Sequence, residues 1–100
     1  MLDTFSPYYG QTFSVAATTT SANTATLNQA AKSVRIVNTG TVAVHFRIAE
    51  AATTATTSDP VVGPSSALTV MKTEGHGNIA IRTNTGTATV FVTPGDYGLV

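Results

Sequence analysis

The stretch Asn38-Thr39-Gly40-Thr41 occurs twice in the sequence, the second time as Asn84-Thr85-Gly86-Thr87. Each copy follows a short apolar run, residues 34–37 or 79–81, and precedes a segment in which apolar and polar side chains alternate. Alternation with a period of two on either side of a glycine-containing turn is typical of β-hairpins. The repeated stretch therefore predicts two antiparallel hairpins, whose turn-forming residues are Asn38, Gly40, Asn84 and Gly86.

The two hairpins are predicted to close with different registers. If the apolar residues within 34–36 face those within 42–44, three residues remain in the loop. Gly40 is then predicted to take the left-handed conformation of a bulge. Matching residues 79–81 to residues 90–92 requires an even-numbered loop around residues 85–86. A slip of one residue would turn a whole apolar row toward solvent, so the apolar pattern sets both registers.

Composition and turn spacing predict the fold class. The chain has 100 residues, the size of one domain, and 10% of them are charged. Ordinary soluble domains carry roughly 25% charged residues. Thr and Val are abundant and no helical period is visible, which favours strands. Roughly seven or eight short strands predict an all-β chain in which residues 11–100 form a single antiparallel β-sandwich. Its path, immunoglobulin-like or jelly-roll, is left open.

The segments outside the two repeats carry weaker signals. Residues 11–17 and 67–72 are predicted strands, whereas residues 49–58 are predicted to form a surface loop or a weak edge strand. Residues 94–98, which begin with Pro-Gly, are predicted to close the sheet. His45 alternates with the apolar row of its strand, so it is predicted to point away from the core and to lie at the surface.

Residues 1–10 are predicted to form an extended N-terminal arm, because Pro7 and Gly10 interrupt regular structure. The arm contains three of the seven aromatic residues, Phe5, Tyr8 and Tyr9. One interpretation is a terminus folded over its own domain. The other is an arm that docks on a neighbouring subunit, because exposed aromatic side chains are costly unless they find a pocket. The second interpretation makes Phe5, Tyr8 and Tyr9 the partner-binding candidates.

Charge and composition argue against several classes of partner. The formal net charge is zero and the five Lys and Arg residues are scattered, so no basic footprint for nucleic acid is predicted. No apolar run approaches the ~20 residues of a membrane helix, and the first residues lack the pattern of a signal peptide. The absence of Cys excludes disulfides and thiolate metal sites. These features predict neither a nucleic-acid nor a membrane partner, and synthesis in a cytoplasm.

Catalytic patterns are not found in the sequence. Glu74 and His76 could supply two metal ligands, but a closed site usually needs four. The five acidic residues do not form a pair suited to glycoside hydrolysis, and no Gly-x-Ser-x-Gly, Gly-x-Gly-x-x-Gly or P-loop stretch is present. The expectation is a protein that is not an enzyme, with no catalytic, metal or cofactor-binding residues.

Residues 33–95 resemble a set of small virion proteins of tailed bacteriophages. The resemblance is carried by the segments 33–41, 44–49, 60–64 and 90–95, which include the first Asn-Thr-Gly-Thr stretch and a closing Val-Thr-Pro-Gly. It implies a capsid decoration, or cement, protein that binds the major capsid protein as a homo-oligomer, a trimer or else a dimer. The implied location is the capsid surface of the virion, after synthesis in the host bacterial cytoplasm.

Two other functions compete with the decoration role. A tail or neck accessory subunit could share the same fold. A carbohydrate-binding module would need an exposed aromatic platform, and the candidates for it are Tyr9 and Tyr97.

Overall fold

The computed structural model describes residues 3–24 and 27–99, with side chains for residues 5–24 and 27–96. Within this part of the chain it contains nine β-strands and no helix. The strands are β1 (Asp3–Pro7), β2 (Phe13–Ala17), β3 (Ala22–Thr24), β4 (Ser33–Asn38), β5 (Val44–Ala49), β6 (Val61–Val62), β7 (Ser66–Met71), β8 (Asn78–Thr83) and β9 (Ala88–Leu99). The all-β prediction is confirmed for the described residues.

The strands form two antiparallel sheets. Sheet 1 has the order β1-β9-β4-β7, with β2 also paired to β9, and sheet 2 has the order β3-β8-β5-β6. Strand β9 is long enough to pair with β2 through residues 88–92 and with β1 through residues 95–99. Strand β4 lies on the other side of β9, and β7 forms the far edge of sheet 1.

The pairing is nested around the middle of the chain. Phe13 pairs with Val92, Ala22 with Ile81, Ser33 with Met71 and Val44 with Val62. In each pair the two partners lie at nearly equal distances along the sequence from residue 52. The chain is therefore one long antiparallel ribbon, folded back near residue 52 and rolled so that successive stretches fall alternately in sheet 1 and sheet 2.

The inner faces of the two sheets share one apolar core. Fully buried β-branched side chains from both sheets dominate it, together with Phe46. Its members include Val34, Ile36, Val90 and Val92 from sheet 1 and Val44, Ile79 and Ile81 from sheet 2. Each fully buried aliphatic side chain of this kind contributes about 1.5–3 kcal/mol. This burial fixes which face of each strand points inward and therefore which residues remain outside.

Neither predicted hairpin exists, and their registers are wrong. Strand β4 pairs with β7 and β9 while β5 pairs with β6 and β8, so the first Asn-Thr-Gly-Thr stretch connects two different sheets. The second stretch likewise joins β8 of sheet 2 to β9 of sheet 1. A hairpin and a crossing between facing sheets bury the same alternate residues, so alternation identifies the strands without identifying their partners.

Buried polar residues explain how the chain turns at the first crossing. Asn38 is 1% exposed, and its Nδ2 donates to the carbonyls of Val42 (2.8 Å), Val62 (3.3 Å) and Gly63 (3.1 Å). Its Oδ1 accepts a hydrogen bond from the amide of Gly40 (2.9 Å). The Asn side chain thereby replaces the ladder partners that the backbone loses on leaving sheet 1.

The two turn glycines serve different purposes. Gly86 has a φ of +69°, which favours glycine, and the hydroxyl of Thr83 donates to its carbonyl (2.7 Å). Gly40 does not have a positive φ, so the predicted bulge is absent. A Cβ at Gly40 would lie 2.6 Å from the Cβ of Ala88, so glycine is needed there for close approach of the crossing to β9.

The predicted closure of the sheet at residues 94–98 is also wrong, because β9 continues through them. Proline lacks an amide hydrogen and is rare inside paired strands. Strand alternation turns the carbonyl and the nitrogen of Pro94 toward the β1 edge, where the carbonyl accepts from Tyr8 N–H (2.9 Å). Pro94 has no amide hydrogen to donate to the carbonyl of Tyr8. That carbonyl accepts a hydrogen bond from the amide of Gln11 instead (3.2 Å). Pro94 is thus accommodated where the edge is interrupted between β1 and β2.

Candidate docking surface on sheet 1

The outer face of sheet 2 is covered by the loop of residues 50–59. The amide of Thr53 donates to Asn23 Oδ1 (3.1 Å) and the amide of Ala55 donates to Ser21 Oγ (2.9 Å), which holds the loop across β3. Ala80 points to the outer face by its pairing with Asn23, yet it is fully buried, as is Ala55. The loop prediction is confirmed for residues 50–58, whereas Ala49 is the last residue of β5. The loop covers the part of this face that β3 and β8 form.

The carboxylate of Asp59 stabilises the end of that loop through hydrogen bonds. Its Oδ1 accepts from Arg47 Nε (3.1 Å) and Nη2 (3.0 Å), and its Oδ2 accepts from the amide of Thr56 (2.7 Å). Burial alone would raise the pKa of Asp59, but the Thr56 amide and the Arg47 guanidinium together hold that pKa below its ordinary value. The carbonyl of Asp59 lies 2.9 Å from Nδ1 of His45.

The predicted exposure of His45 is therefore wrong. Its side chain does point away from the inner core, but it is 8% exposed because Asp59 and the loop cover it. Alternation along a strand predicts only the direction of a side chain and cannot show that a distant loop returns over it.

In contrast, the outer face of sheet 1 is open. Paired strands place nine small or apolar side chains and one cation, Arg35, on it: Ser14, Ala16, Arg35, Val37, Ala67, Thr69, Met71, Thr89, Phe91 and Thr93. Phe91 is 40% exposed and Met71 is 68% exposed. We call this set the outer face of sheet 1. It is a broad, nearly uncharged surface that no described segment of the chain covers.

The single charge on this face lies beside a groove. Nine of the ten residues just named are uncharged, and the side chain of the tenth, Arg35, has no hydrogen bond or ion pair with the described residues. Its guanidinium borders an open groove of about 330 Å³ whose other walls come mostly from the N-terminal segment, namely Phe5, Pro7, Tyr8, Tyr9, Gly10, Thr12 and Thr93. We call this the aromatic groove. An unpaired guanidinium beside aromatic rings suits a carboxylate supplied by a partner.

The N-terminal residues that line this groove are folded onto the domain. Residues Asp3–Pro7 form β1 on β9, and the hydroxyl of Tyr8 donates to Asp96 Oδ1 (2.8 Å). That hydrogen bond to the Asp96 carboxylate raises the pKa of the Tyr8 hydroxyl. The ring of Phe5 lies over Gly95, where an added Cβ would meet its Cε1 at 2.6 Å. The Phe5 ring can therefore lie in this position only because residue 95 is a glycine.

The structure brings the three partner-binding candidates together. Phe5, Tyr8 and Tyr9 all line the aromatic groove, and Tyr9 is 89% exposed in the turn that ends at Gly10, whose φ is +81°. Whether they bind a partner stays a prediction, as does the role of residues 1–10 as an arm. Met1 and Leu2 of that segment, and the side chain of Tyr97, lie outside the described residues.

Sequence reasoning did not single out Arg35, Val37 or Phe91 as surface candidates. Their signal is the alternation itself, because each lies between residues that are fully buried. What the alternation lacks is the partner strands that place all three on one continuous face. The four turn-forming residues lie elsewhere, in the two crossings between sheets, and Asn84 makes no side-chain hydrogen bond with the described residues.

A second groove, of about 320 Å³, opens at the other edge of sheet 1. It is lined by Phe46, Arg47, Ile48, Asp59, Pro60, Val70 and Met71, and it lies between β7 and the neighbouring edge of sheet 2. Most of its wall is apolar, so it is suited to side chains rather than to a charged small molecule. We call it the edge groove.

The titratable side chains of the described residues are dispersed. No three His, Asp or Glu residues among them are placed to hold a metal ion. That part of the chain also has no helix long and apolar enough to cross a bilayer. The linings of the two grooves offer contacts for apolar, aromatic and carboxylate groups. Comparison of the sequence with protein-family models and with curated proteins gives no match to either.

Proposed function

We propose that this protein is a structural virion protein that binds the outer surface of a bacteriophage capsid and stabilises it by bridging capsomers. The virion context comes from the resemblance of residues 33–95 to small phage virion proteins. The observation that carries the docking role is the contrast between the two outer faces: a loop covers that of sheet 2, whereas that of sheet 1 is open and almost uncharged.

The outer face of sheet 1 has the properties that docking on a protein shell requires. Side chains such as Thr69 and Thr93 offer hydrogen bonds at little cost in side-chain entropy, while Phe91 and Val37 supply apolar area. Arg35 adds one charge that can fix the orientation of docking. Many copies with weak individual contacts then give strong total binding through avidity.

Selective binding to the assembled shell would stabilise it by linkage. A protein that binds the expanded shell more tightly than its dissociated subunits shifts the equilibrium toward the shell. This mechanism needs the major capsid protein as partner, the capsid surface as location and no reacting groups. The host bacterial cytoplasm is the proposed site of synthesis, where the protein meets the assembling head.

We assign the fold to the jelly-roll form of the β-sandwich. The nested pairs of β2 with β9, β3 with β8, β4 with β7 and β5 with β6 support this path. An immunoglobulin-like sandwich would instead contain several hairpins between consecutive strands within one sheet, whereas β5 and β6 are the only consecutive strands that pair among the described ones. The jelly-roll path puts β4 and β9 side by side in the centre of sheet 1, which builds the open face.

The test is binding to heads that lack their decoration protein. We expect saturable, stoichiometric binding of the purified protein and release of DNA at a higher temperature. The informative variant is Phe91→Ser. Its matched control is Val61→Ser, which changes an apolar residue on sheet 2 that is at least as exposed, at 51% against 40% for Phe91. Absence of wild-type binding would remove the proposed function.

The expected size of the effect follows from the exposed area. A Phe side chain presents about 200 Å², so the 40% of Phe91 that is exposed amounts to roughly 80 Å². At about 25 cal/mol per Å² its burial contributes about 2 kcal/mol, or about 30-fold in affinity per site. Phe91→Ser should weaken binding by about that factor while Val61→Ser leaves it unchanged. Equal weakening by both would place the docking surface elsewhere.

A carbohydrate-binding role is the second candidate, because Tyr9 is 89% exposed beside Arg35 in the aromatic groove. An exposed ring beside a cation can stack on a sugar and pair with its carboxylate. A glycan array distinguishes this role: a signal that Tyr9→Ala abolishes supports it, and no signal counts against it. A tail or neck accessory role is separated from the first proposal by electron microscopy of the virion.

A further inference from the structure

Strand β7 is the longest edge strand among the described residues, and it is unprotected. Natural sheets protect their edges with short strands, prolines, charges or covering segments. Strand β3 has three residues, β6 has two and lies between Pro60 and Pro64, and the β1–β2 edge is interrupted at residues 8–12. Strand β7 has six residues, Ser66–Met71, with no proline and no charge.

The backbone groups of β7 that face outward can be identified from the ladder. The amide of Lys72 donates to the carbonyl of Lys32, toward β4 (2.9 Å). Because successive residues of a strand point to opposite sides, Ser66, Leu68 and Val70 also face β4, and Ala67, Thr69 and Met71 face away. Among the described residues, no hydrogen bond uses these outward backbone groups.

The side chains leave this edge open as well. Leu68 and Val70 pair with inward-facing residues of β4, yet Leu68 is 37% exposed because no further strand lies beside it. The Nζ of Lys72 donates to the carbonyls of Gln29 (3.2 Å) and Thr73 (3.3 Å), so its charge is held in the neighbouring loop. The edge groove runs directly beside β7 and is lined by Val70 and Met71.

We propose that a second copy of this chain pairs with β7, antiparallel, about a two-fold axis at Thr69. In this register Thr69 faces its own copy, Ala67 faces Met71, and Leu68 faces Val70. The outward amides and carbonyls of Ala67, Thr69 and Met71 then satisfy each other in about six hydrogen bonds.

The strand is complementary to itself in this register, which is why a second copy is the occupant. Small Ala67 lies opposite long Met71, and the two apolar inward residues, Leu68 and Val70, meet at the mouth of each edge groove. Lys72 would lie opposite Ser66, so no like charges meet across the axis. An isologous pairing of this kind also closes, because the same edge of each copy is used up in the contact.

The pairing of two β7 strands is independent of the proposed function. The role of the resulting dimer on a capsid, however, rests on that function. Continuing sheet 1 through two β7 strands keeps both outer faces on the same side of the enlarged sheet. The dimer would therefore present two copies of Phe91 and Arg35 to one shell, side by side. Once one subunit of the dimer has bound the shell, the other subunit is held close to its own binding site at a high effective concentration.

The experiment measures mass against concentration by analytical ultracentrifugation of the full chain. A strand edge buries less than the ~800 Å² per partner of a standard interface, so we expect a weak dimer and would measure up to about 1 mM. Wild-type protein should shift from the monomer mass to twice that mass over this range. A monomer throughout the range would overturn the proposal.

Charge exchange at Thr69 tests the axis itself. Thr69→Lys places two like charges opposite each other and should keep the protein monomeric, as should Thr69→Glu. An equimolar mixture of the two variants should restore the dimer, because opposite charges then meet. Thr89→Lys is the matched control: it makes the same change on the same face, two strands away from the edge, and should dimerise like the wild type.

The outcomes separate this proposal from the proposed function. If Thr69→Lys and Thr69→Glu each dimerise like the wild type, the two-fold register is wrong. A strict monomer that still saturates undecorated heads would overturn the pairing and leave the capsid role intact. A dimer that responds to the Thr69 variants as described but does not bind heads would support the pairing and remove the capsid role.

Discussion

Replacing Asn38 by Asp tests whether one buried amide holds the first crossing between the sheets. The change is nearly isosteric, but it removes the Nδ2 donor that serves the carbonyls of Val42, Val62 and Gly63. It also places a carboxylate, when ionised, beside carbonyl oxygens at a site that is 1% exposed. Only the hydrogen bond from the amide of Gly40 to the side-chain oxygen would remain favourable.

The magnitude follows from these contacts. Two amide hydrogens serve three carbonyls, so at least two buried acceptors lose their donors, at about 1–3 kcal/mol each. An uncompensated buried charge alone costs about 3–5 kcal/mol. Because the carboxyl can take up a proton instead of bearing that full cost, we expect Asn38→Asp to lower the free energy of unfolding by about 4 kcal/mol at neutral pH. In a domain of this size, that corresponds to a fall in Tm of roughly 15–30 °C.

The second Asn-Thr-Gly-Thr stretch, residues 84–87, supplies a matched control variant. Asn84 occupies the same position in the second Asn-Thr-Gly-Thr stretch, is exposed, and makes no side-chain hydrogen bond with the described residues. Urea unfolding followed by circular dichroism should therefore show Asn84→Asp within about 0.5 kcal/mol of the wild type. Equal destabilisation by the two variants would refute the role assigned to Asn38.

The pH dependence of the variant gives a second readout. The introduced carboxyl has a raised pKa in the folded state, because burial and the facing carbonyls oppose its ionisation. A group of this kind contributes most stability below its unfolded pKa and loses that contribution as the pH rises through its folded pKa. The deficit of Asn38→Asp relative to Asn84→Asp should therefore shrink between pH 7 and pH ~4. A deficit that is constant over this range would show that ionisation does not matter.

Two further predictions concern groups outside the crossings. Ser33 is 1% exposed and its Oγ has no hydrogen-bond partner among the described residues, so Ser33→Ala should raise the free energy of unfolding by about 1 kcal/mol. Loss of the hydrogen-bonded hydroxyl in Thr83→Val should lower it. Thermal unfolding would contradict this if Ser33→Ala lowered Tm. The pKa of Asp59 is depressed in the folded state, so its contribution to stability is present above its ordinary value of 3.8 and is lost as the pH falls through that region. Asp59→Asn should therefore reduce the loss of stability between pH 5 and pH ~3, and identical acid slopes in urea titrations would contradict the assignment.

The strands were predictable from the sequence because burial imposes a local pattern. Val34 and Ile36 alternate with Arg35 and Val37 whatever strand lies beside them, so strand positions follow from apolar periodicity. Partner choice depends on residues far away in the chain. Strand β4 pairs with β9 and β7, and no feature within residues 33–48 distinguishes those partners from β5.

The candidate site likewise combines features that the sequence predicts locally with contacts that depend on distant parts of the chain. The aromatic cluster of Phe5, Tyr8 and Tyr9 was visible as a composition feature, but Arg35 joins it only because β4 and β1 both flank β9. The burial of His45 required the loop of residues 50–59 to return over sheet 2. Contacts of this kind depend on loop paths, which low-complexity Ala and Thr segments do not specify locally.

The nested pairing explains why two identical turn sequences sit at sheet crossings. A long ribbon that is rolled into two sheets must cross from one sheet to the other at several places, and at each crossing the backbone loses its ladder partners. At the first crossing a buried Asn side chain replaces them, and at the second the hydroxyl of Thr83 does so from the strand end. The same four residues are therefore used with different anchors. The first crossing leaves β4 and the second enters β9, and these two strands lie side by side at the centre of the open face of sheet 1.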